Sequence, residues 1–341
     1  MREKLRKILL FLFGKLPFRV IQKLAKQNLT VVTYHSILNK PLPHIQNLYQ
    51  LRNVEMFEND LDLLLKFYKP VTLSEVVNFL NNGKILPKNA LLITFDDGFR
   101  EVKEVAAEIL LQKKIPAAFF LNTAFIDNKN LFFRNKISLL LEYFRQPDNY
   151  EKNEIALKYL QNANIEGNTL NEKLLNLKYH QTELINNLAS ETGYNFAEFL
   201  ENKKPYMTSN EIQYLIDKGF EIGAHSIDHP RFSEITEEEQ YHQIVESINF
   251  LQQTFKIPHR TFAFPFSDDG LDENFFNKIF SEYKIDVIFA LKGLIEDFSP
   301  RIIQRLWAEA NNDNMRKILV ENIYNRLSRK IKNTNKVNRR K

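Results

Sequence analysis

The sequence predicts an α/β protein whose parallel sheet closes, or nearly closes, into a barrel of about seven strands. Short apolar, β-branched runs alternate with segments of helical spacing, an order that demands parallel strands with helices outside. Seven or so such units recur, which favours a barrel over an open doubly wound sheet. No glycine-rich phosphate loop follows the early strands, and the 341 residues include only nine glycines, so a dinucleotide-binding sheet is disfavoured.

The chain opens with Arg2, Lys4, Arg6 and Lys7, followed by the apolar run Ile8–Phe13. Lys15 interrupts that run and no small-residue cleavage site follows, so it is a poor signal peptide. Leu16, Phe18, Val20, Ile21 and Leu24 continue the pattern with Lys and Arg between them. Residues 1–26 therefore predict one or two basic amphipathic helices that either lie on an anionic membrane surface or cover an end of the barrel. Leu29–Tyr34 reads as the first strand, being short, apolar and β-branched. Helical spacing follows around Phe57, Leu61, Leu64 and Leu65. A second helix near Leu73–Phe79 opens with Thr72 and Glu75 at capping-box spacing. Ala90–Phe95 is the clearest strand, Phe99–Lys113 a helix and Ala117–Leu121 the next strand.

From about residue 128 to about residue 205 the strand signal stops. This stretch is polar, helical and rich in Asn, Lys and Leu, and too long for a plain loop, so it is read as a helical insertion. Alternation resumes with a helix near Ser209–Lys218 behind Thr208 and Glu211, then strand Phe220–Ala224. A helix from Thr236, with Glu239 three residues on, runs to about Phe255. Strand Thr261–Phe264, a helix near Glu273–Phe280, and final strands at Asp286–Ala290 and around Ile302–Trp307 complete a body spanning 27–325. The remainder, 326–341, is basic, polar and unpatterned, and is expected to be disordered.

Composition narrows the function. At 44% hydrophobic and 26% charged, the chain is neither disordered throughout nor a coiled-coil rod. With no cysteine, disulfides, thiolate metal sites and cysteine nucleophiles are excluded, so any metal is held by histidine, carboxylate or carbonyl oxygen. No apolar run reaches the roughly 18 residues that a membrane span needs. The net charge is +5, yet sixteen of the 47 basic residues lie in 1–26 and 326–341 against one acid, Glu3, which leaves an acidic body. That distribution argues against nucleic acid as a partner and makes the basic ends candidates for peripheral contact with anionic lipid. The weak signal-peptide character points to the cytoplasm, with a secreted or periplasmic location left open.

In a parallel barrel the reactive groups sit where strands end and loops begin. Strand Leu91–Phe95 ends in Asp96-Asp97-Gly98, strand Phe220–Ala224 in His225-Ser226-Ile227-Asp228-His229-Pro230, and strand Thr261–Phe264 in Pro265-Phe266-Ser267-Asp268-Asp269-Gly270. Adjacent carboxylates repel and need a cation or a shared proton. An Asp/His/His set supplies three ligands to one metal and leaves positions open for water and substrate, as catalytic sites do. The second aspartate could then take a proton from that water. Taken singly, Asp-Asp-Gly is a common turn and His-x-x-x-His a common surface pair. Their joint occurrence at successive strand ends points to chemistry. His35, His44, His180, His242 and His259 show no such spacing.

These motifs resemble those of the polysaccharide deacetylases, the NodB-homology or carbohydrate esterase family 4 proteins. Thr94-Phe95-Asp96-Asp97-Gly98 is similar to their first motif, and His225–Pro230, led by Gly219–Ala224, to their second. Phe262-Ala263-Phe264-Pro265-Phe266 resembles a form of the third, and Thr33-Tyr34-His35-Ser36 recurs in several branches. The resemblance spans about 29–125 and 205–310 and implies a distorted (β/α) barrel that uses a divalent metal, most often zinc. Such a barrel removes an acetyl group, chiefly N-acetyl, from a bacterial polysaccharide or its precursor. It implies Asp96 as general base and Asp97, His225 and His229 as metal ligands. The metal polarises the carbonyl and binds the attacking water, and the Phe266 N–H helps to hold the oxyanion. Two departures stand out. Ala263 replaces an arginine that steadies the base, with Arg305 or Arg301 as candidate substitutes. The late Leu-x-His that supplies the acid is absent, leaving His35, Glu309, a metal-bound water or the protonated base. A catalytically silent, metal-containing glycan-binding protein of a glycan-assembly complex is the alternative that these departures motivate.

Overall fold

The computed structural model describes residues 2–309 and 313–340. Its strands are β1 (Leu29–Tyr34), β2 (Lys69–Pro70), β3 (Ala90–Phe95), β4 (Ala117–Leu121), β5 (Glu221–Ala224), β6 (Thr261–Ala263), β7 (Val287–Ala290), β8 (Ile302–Gln304) and β9 (Leu306–Trp307). They run in the order β8-β7-β6-β5-β4-β3-β1-β9, with the short β2 added beside β3. Every pairing is parallel.

The two ends of that order are one stretch of chain. Ile302 and Ile303 pair with Ile288 and Phe289 of β7, whereas Leu306 and Trp307 pair with Val32 and Thr33 of β1. The chain changes neighbour at Arg305, whose N–H donates to Ala290 O at 2.8 Å. One segment thus closes the sheet into a barrel, as the alternation of strand and helix predicts. The barrel is uneven, because β5 and β6 share a single register pair, Ala224 with Phe262.

Alternation of side chains across the strands divides the apolar residues in two. Val31, Ala90, Leu92, Ala118, Phe120, Val287 and Phe289 form a cluster inside the barrel, packed against Leu73, Val76 and Val77 of the helix Leu73–Asn82. Val32, Tyr34, Leu91, Ile93, Phe95 and Phe119 belong to a larger cluster beneath the outer helices. Continuing the inward column of β3 by twos leads from Leu92 to Thr94 and then to Asp96, so the interior becomes polar at its C-terminal end. Thr33, Thr94, Asp96 and Arg305 are all buried there.

The helix caps anticipated from Thr72/Glu75, Thr208/Glu211 and Thr236/Glu239 form as reciprocal capping boxes, and Thr169/Glu172 adds a fourth. Between β4 and β5 lie the helices Phe133–Phe144, Tyr150–Asn162, Leu170–Asn176, Thr182–Thr192 and Phe196–Lys203. Ile137, Leu140, Leu160, Ile185 and Leu188 from three of them are fully buried and continuous with the outer core. No helix among the described residues is long and apolar enough to cross a membrane.

The expectation of a disordered tail is corrected. The helix Met315–Ile331 carries the chain past residue 326, and Arg326 donates to Glu296 Oε1 at 2.8 Å. Val337 N donates to Glu296 O at 2.8 Å, and the buried Arg339 guanidinium pairs with Asp268 and, at 2.7 Å, with Asp297. The segment is too polar to signal order through apolar periodicity. Buried carboxylates elsewhere in the chain hold it instead.

β5 approaches β4 closely at Gly223, where a Cβ would lie 2.4 Å from Phe120 Cε1 and 2.7 Å from Thr261 Oγ1. Gly223→Ala is therefore expected to lower stability by about 1–3 kcal/mol through overpacking of the barrel wall. Urea denaturation should show a lower midpoint at unchanged slope, and an unaltered midpoint would contradict this account of the wall.

Candidate active site

The C-terminal ends of β3, β5 and β6 converge. Asp97 follows β3, and its Oδ1 lies 3.3 Å from His225 Nε2 and 3.1 Å from His229 Nε2, with all three residues buried. Non-glycine residues in the left-handed region of φ gather here: Asp97 at 72°, Ser226 at 76°, His229 at 65° and Phe266 at 56°. Such conformations cost about 1–3 kcal/mol each and persist where surrounding contacts impose them. Ser226 Oγ accepts the His229 N–H at 3.0 Å and an Asn122 amide at 3.2 Å, while the same Asn122 amide donates to His225 O. Gln243 Oε1 accepts the Ile227 N–H at 2.9 Å, and Gln243 Nε2 donates to Asp228 Oδ1 at 2.7 Å. The two-histidine loop is thus braced from β4 and from the helix Glu237–Phe255.

The protonation pattern identifies what this cluster lacks. His225 Nδ1 lies 2.8 Å from Ala263 O, a carbonyl that can only accept, so Nδ1 carries the proton. In the tautomer protonated at Nδ1 alone, the lone pair of Nε2 faces Asp97 Oδ1, an oxygen that is buried with no hydrogen-bond partner. Two lone pairs facing each other across 3.3 Å call for a cation between them. Burial pushes His229 below its usual value despite the attraction of Asp97, which favours the neutral ligand form. The donor atoms of Asp97, His225 and His229 all lie within 4.8 Å of one another. Tetrahedral zinc, with bonds of about 2.0–2.2 Å, sets its ligands about 3.3 Å apart, close to the two distances from Asp97. The residues present fit a divalent ion.

Asp96 faces the barrel axis and meets Arg305 in a two-pronged pair, Nη1 to Oδ1 at 2.8 Å and Nη2 to Oδ2 at 2.6 Å. Arg305 Nη1 also donates to Thr33 and Thr94 hydroxyls, each at 3.1 Å, and its guanidinium lies over the Phe120 and Phe289 rings. Burial opposes ionisation of Asp96, and Arg305 outweighs it, so the carboxyl stays below its usual range and is charged at neutral pH. Arg301 points elsewhere, donating to Asp286 O at 2.9 Å and lying over Phe280. Asp268 and Asp269 pair with Lys292 at 2.6 and 3.0 Å, apart from the Asp97 cluster.

Asp96, Asp97, His225, His229, Phe266 and His35 line one cavity of about 440 Å³, whose wall also includes Tyr49, Phe132, Arg134, Arg231 and Trp307. A sequence model described as polysaccharide deacetylase matches residues 83–286, more than half of the chain. The chain belongs to the polysaccharide deacetylase family. It is accordingly a carbohydrate deacetylase, and its Asp/His/His group is the metal-binding candidate of that fold.

Solved structures share the fold at low identity. The Streptococcus pyogenes deacetylase PplD, determined with acetate, superposes with a TM-score of 0.54 at 13% identity, covering 86% of this chain and 97% of that one. IcaB from Ammonifex degensii gives 0.53 at 15%, covering 87% and 97%. A de-N-acetylase from Aggregatibacter actinomycetemcomitans gives 0.50 at 14%, covering 81% and 93%. No curated protein matches this deacetylase by sequence.

His35, which follows β1, joins the cavity through a pairing that its position alone did not reveal. Its Nδ1 lies 2.5 Å from Glu309 Oε2, Glu309 Oε1 accepts the His35 N–H at 2.8 Å, and Trp307 Nε1 donates to Oε2 at 2.9 Å. Burial disfavours the imidazolium, but Glu309 overcomes it and the His35 pKa rises to about 9. Tyr49 packs on the His35 ring at 4.9 Å and directs its hydroxyl to Asp97 Oδ2 at 3.4 Å. Asn122, Gln243 and Tyr49 were not singled out by sequence, since a lone Asn, Gln or Tyr carries no spacing signal. His44 is buried between Phe99 and Phe199 with its pKa pushed down to about 3, His259 bonds Ser74, and His180 and His242 are exposed.

Replacing Arg305 by Met leaves the Asp96 carboxylate buried and unpaired, a change that costs about 3–5 kcal/mol at neutral pH. The wild-type pair contributes stability above the ordinary carboxylate range and loses it as pH falls through the depressed Asp96 value. In the variant, protonation of Asp96 relieves the penalty. The stability gap should be widest near neutrality and narrow on acidification, and a gap independent of pH would contradict the assignment.

Proposed function

We propose that the protein hydrolyses the N-acetyl group of an amino sugar in a bacterial polysaccharide or its precursor, with a divalent ion, zinc first among candidates, held by Asp97, His225 and His229. The observation that carries the reading is the charged, doubly bonded Asp96 beside a buried Asp/His/His set whose lone pairs converge. Bound there, the ion supplies Lewis acidity toward the acetyl carbonyl and the attacking water.

The side chains supply the rest. Asp96 takes the proton from water as the carbonyl carbon is attacked, and Arg305 fixes which lone pairs face the substrate. The N–H of Phe266, a residue in left-handed conformation whose ring meets the His229 ring edge-to-face at 4.8 Å, is offered as a donor to the developing oxyanion. His35, kept protonated by Glu309, delivers a proton to the departing nitrogen. An amine leaving group needs that proton more than an alkoxide of an ester does, which favours N-deacetylation. The glycan-binding reading rested on a missing arginine and a missing acid, and it loses its motive once Arg305 and His35 are available for those roles.

With zinc or cobalt added, the purified protein should release acetate from N-acetylated oligosaccharides. Asp96→Asn should reduce that release by at least about 10²-fold with the metal still bound. His229→Ala should lose the metal itself in equilibrium dialysis. Undiminished release by Asp96→Asn would reject the mechanism.

The pH profile gives a separate check. Because His35 acts as the acid and its pKa is raised to about 9, activity should fall as pH rises through that value. Glu309→Gln removes the charge that raises it, so the alkaline limb should move toward lower pH. An unmoved limb would exclude His35 as the donor.

A further inference from the structure

The helices Arg2–Gly14 and Phe18–Ala25 are apolar over more of their circumference than the body covers. On the inner side Leu10 and Phe13 pack against the core, Phe13 meets Tyr324 at 5.7 Å, and Phe18, Ile21 and Ala25 are buried. Arg6 also turns inward, to Asn325 Oδ1 at 3.2 Å. On the outer side Leu5, Ile8, Leu9 and Leu12 follow the i, i+3, i+4, i+7 spacing of a single helical face, and each is 46–58% exposed. Phe11, at 63%, flanks them, and Val20 and Leu24 continue the exposed apolar surface onto the second helix. A monomer rarely leaves so continuous an apolar strip in water without a partner for it.

Charge identifies the partner. Lys4, Lys15, Arg19 and Lys23 are exposed along the same two helices, and Glu3 is the one acid in the first 26 residues. A second copy of the chain docking by a two-fold axis would bring the same lysines face to face. An anionic bilayer meets both features, taking the leucines into its headgroup–acyl boundary and the lysines into its phosphate layer. The C-terminal segment contributes less than its composition suggests, because Arg326 and Arg339 are engaged by Glu296, Asp268 and Asp297. We propose that the two N-terminal helices form a membrane-docking surface that lies in the plane of an anionic bilayer and tethers the barrel there.

The test is co-sedimentation of the full chain with vesicles of phosphatidylcholine alone or with about 30% phosphatidylglycerol. The chain should pellet with the anionic vesicles, and raising NaCl from about 50 to about 500 mM should weaken binding severalfold. A Leu5→Gln/Leu9→Gln/Leu12→Gln variant should bind at least about tenfold more weakly, while its melting temperature stays that of the wild type because those side chains are exposed. Lys4→Glu/Arg19→Glu/Lys23→Glu should lose the preference for anionic lipid. Wild-type protein that stays in the supernatant would overturn the proposal, as would a leucine variant that binds equally well. A solution dimer that the leucine variant dissociates would likewise assign this face to a second copy and not to lipid.

Discussion

The structure depends on one buried ion pair, Arg305 with Asp96. Arg305 stands where the last segment leaves β7 and joins β1, so the residue that closes the barrel also reaches into its centre. Its guanidinium has two carboxylate oxygens and two threonine hydroxyls as partners, between the faces of Phe120 and Phe289. Burying a charge in such a place requires a buried counter-charge, because desolvation alone costs several kcal/mol per ion. That requirement ties the closure of the sheet to the position of Asp96. A carboxylate fixed in this way keeps its charge and its direction without support from the loops above it.

The neighbouring cluster follows the opposite rule. Asp97, His225 and His229 do not satisfy one another, since the buried Asp97 Oδ1 has no hydrogen-bond donor and the proton of His225 is committed to Ala263 O. Four non-glycine residues at the ends of the strands adopt left-handed backbone, and Asn122 and Gln243 hold the loop that contains two of them. Strain and unsatisfied lone pairs are both unfavourable to the isolated chain, and binding a cation offsets them together. The adjacent aspartates thus differ in kind: Asp96 is paired internally with Arg305, whereas Asp97 Oδ1 is buried without a hydrogen-bond partner.

Those features that depend on local pattern were legible in the sequence. Ala90–Phe95 reads as a buried strand because its apolar run is short and ends in a turn, and the Thr/Glu caps work within three residues of each other. The Asp-Asp and His-x-x-x-His spacings survive translation into space because each motif hangs from the end of one strand. What remained hidden depends on long-range pairing. Arg305 and Arg301 are equivalent as sequence, and only the register of β8 and β9 separates the one facing Asp96 from the one facing Asp286 and Phe280. Glu309 acquires its role from a histidine 274 residues away. Arg339 reads as one more charge in a polar tail, yet it is buried because Asp268 and Asp297 receive it.

The same register brings three polar side chains of the last segment to the site. Beyond β8 the inward-facing positions fall at Arg305, Trp307 and Glu309, while Leu306 and Ala308 turn out to the surrounding core. One extended segment therefore delivers a guanidinium to Asp96, an indole N–H to Glu309 and a carboxylate to His35, at successive steps of two. With the guanidinium entering from this side, position 263 no longer needs a long side chain. Ala263 contributes its carbonyl to His225 and its small methyl to the packed interior where Phe120 and Phe289 flank Arg305. A basic residue at 263 would have to share that space with a second buried cation, at a like-charge cost that a single carboxylate could not offset. The small residue at 263 and the arginine at 305 are thus two halves of one solution to holding the same aspartate.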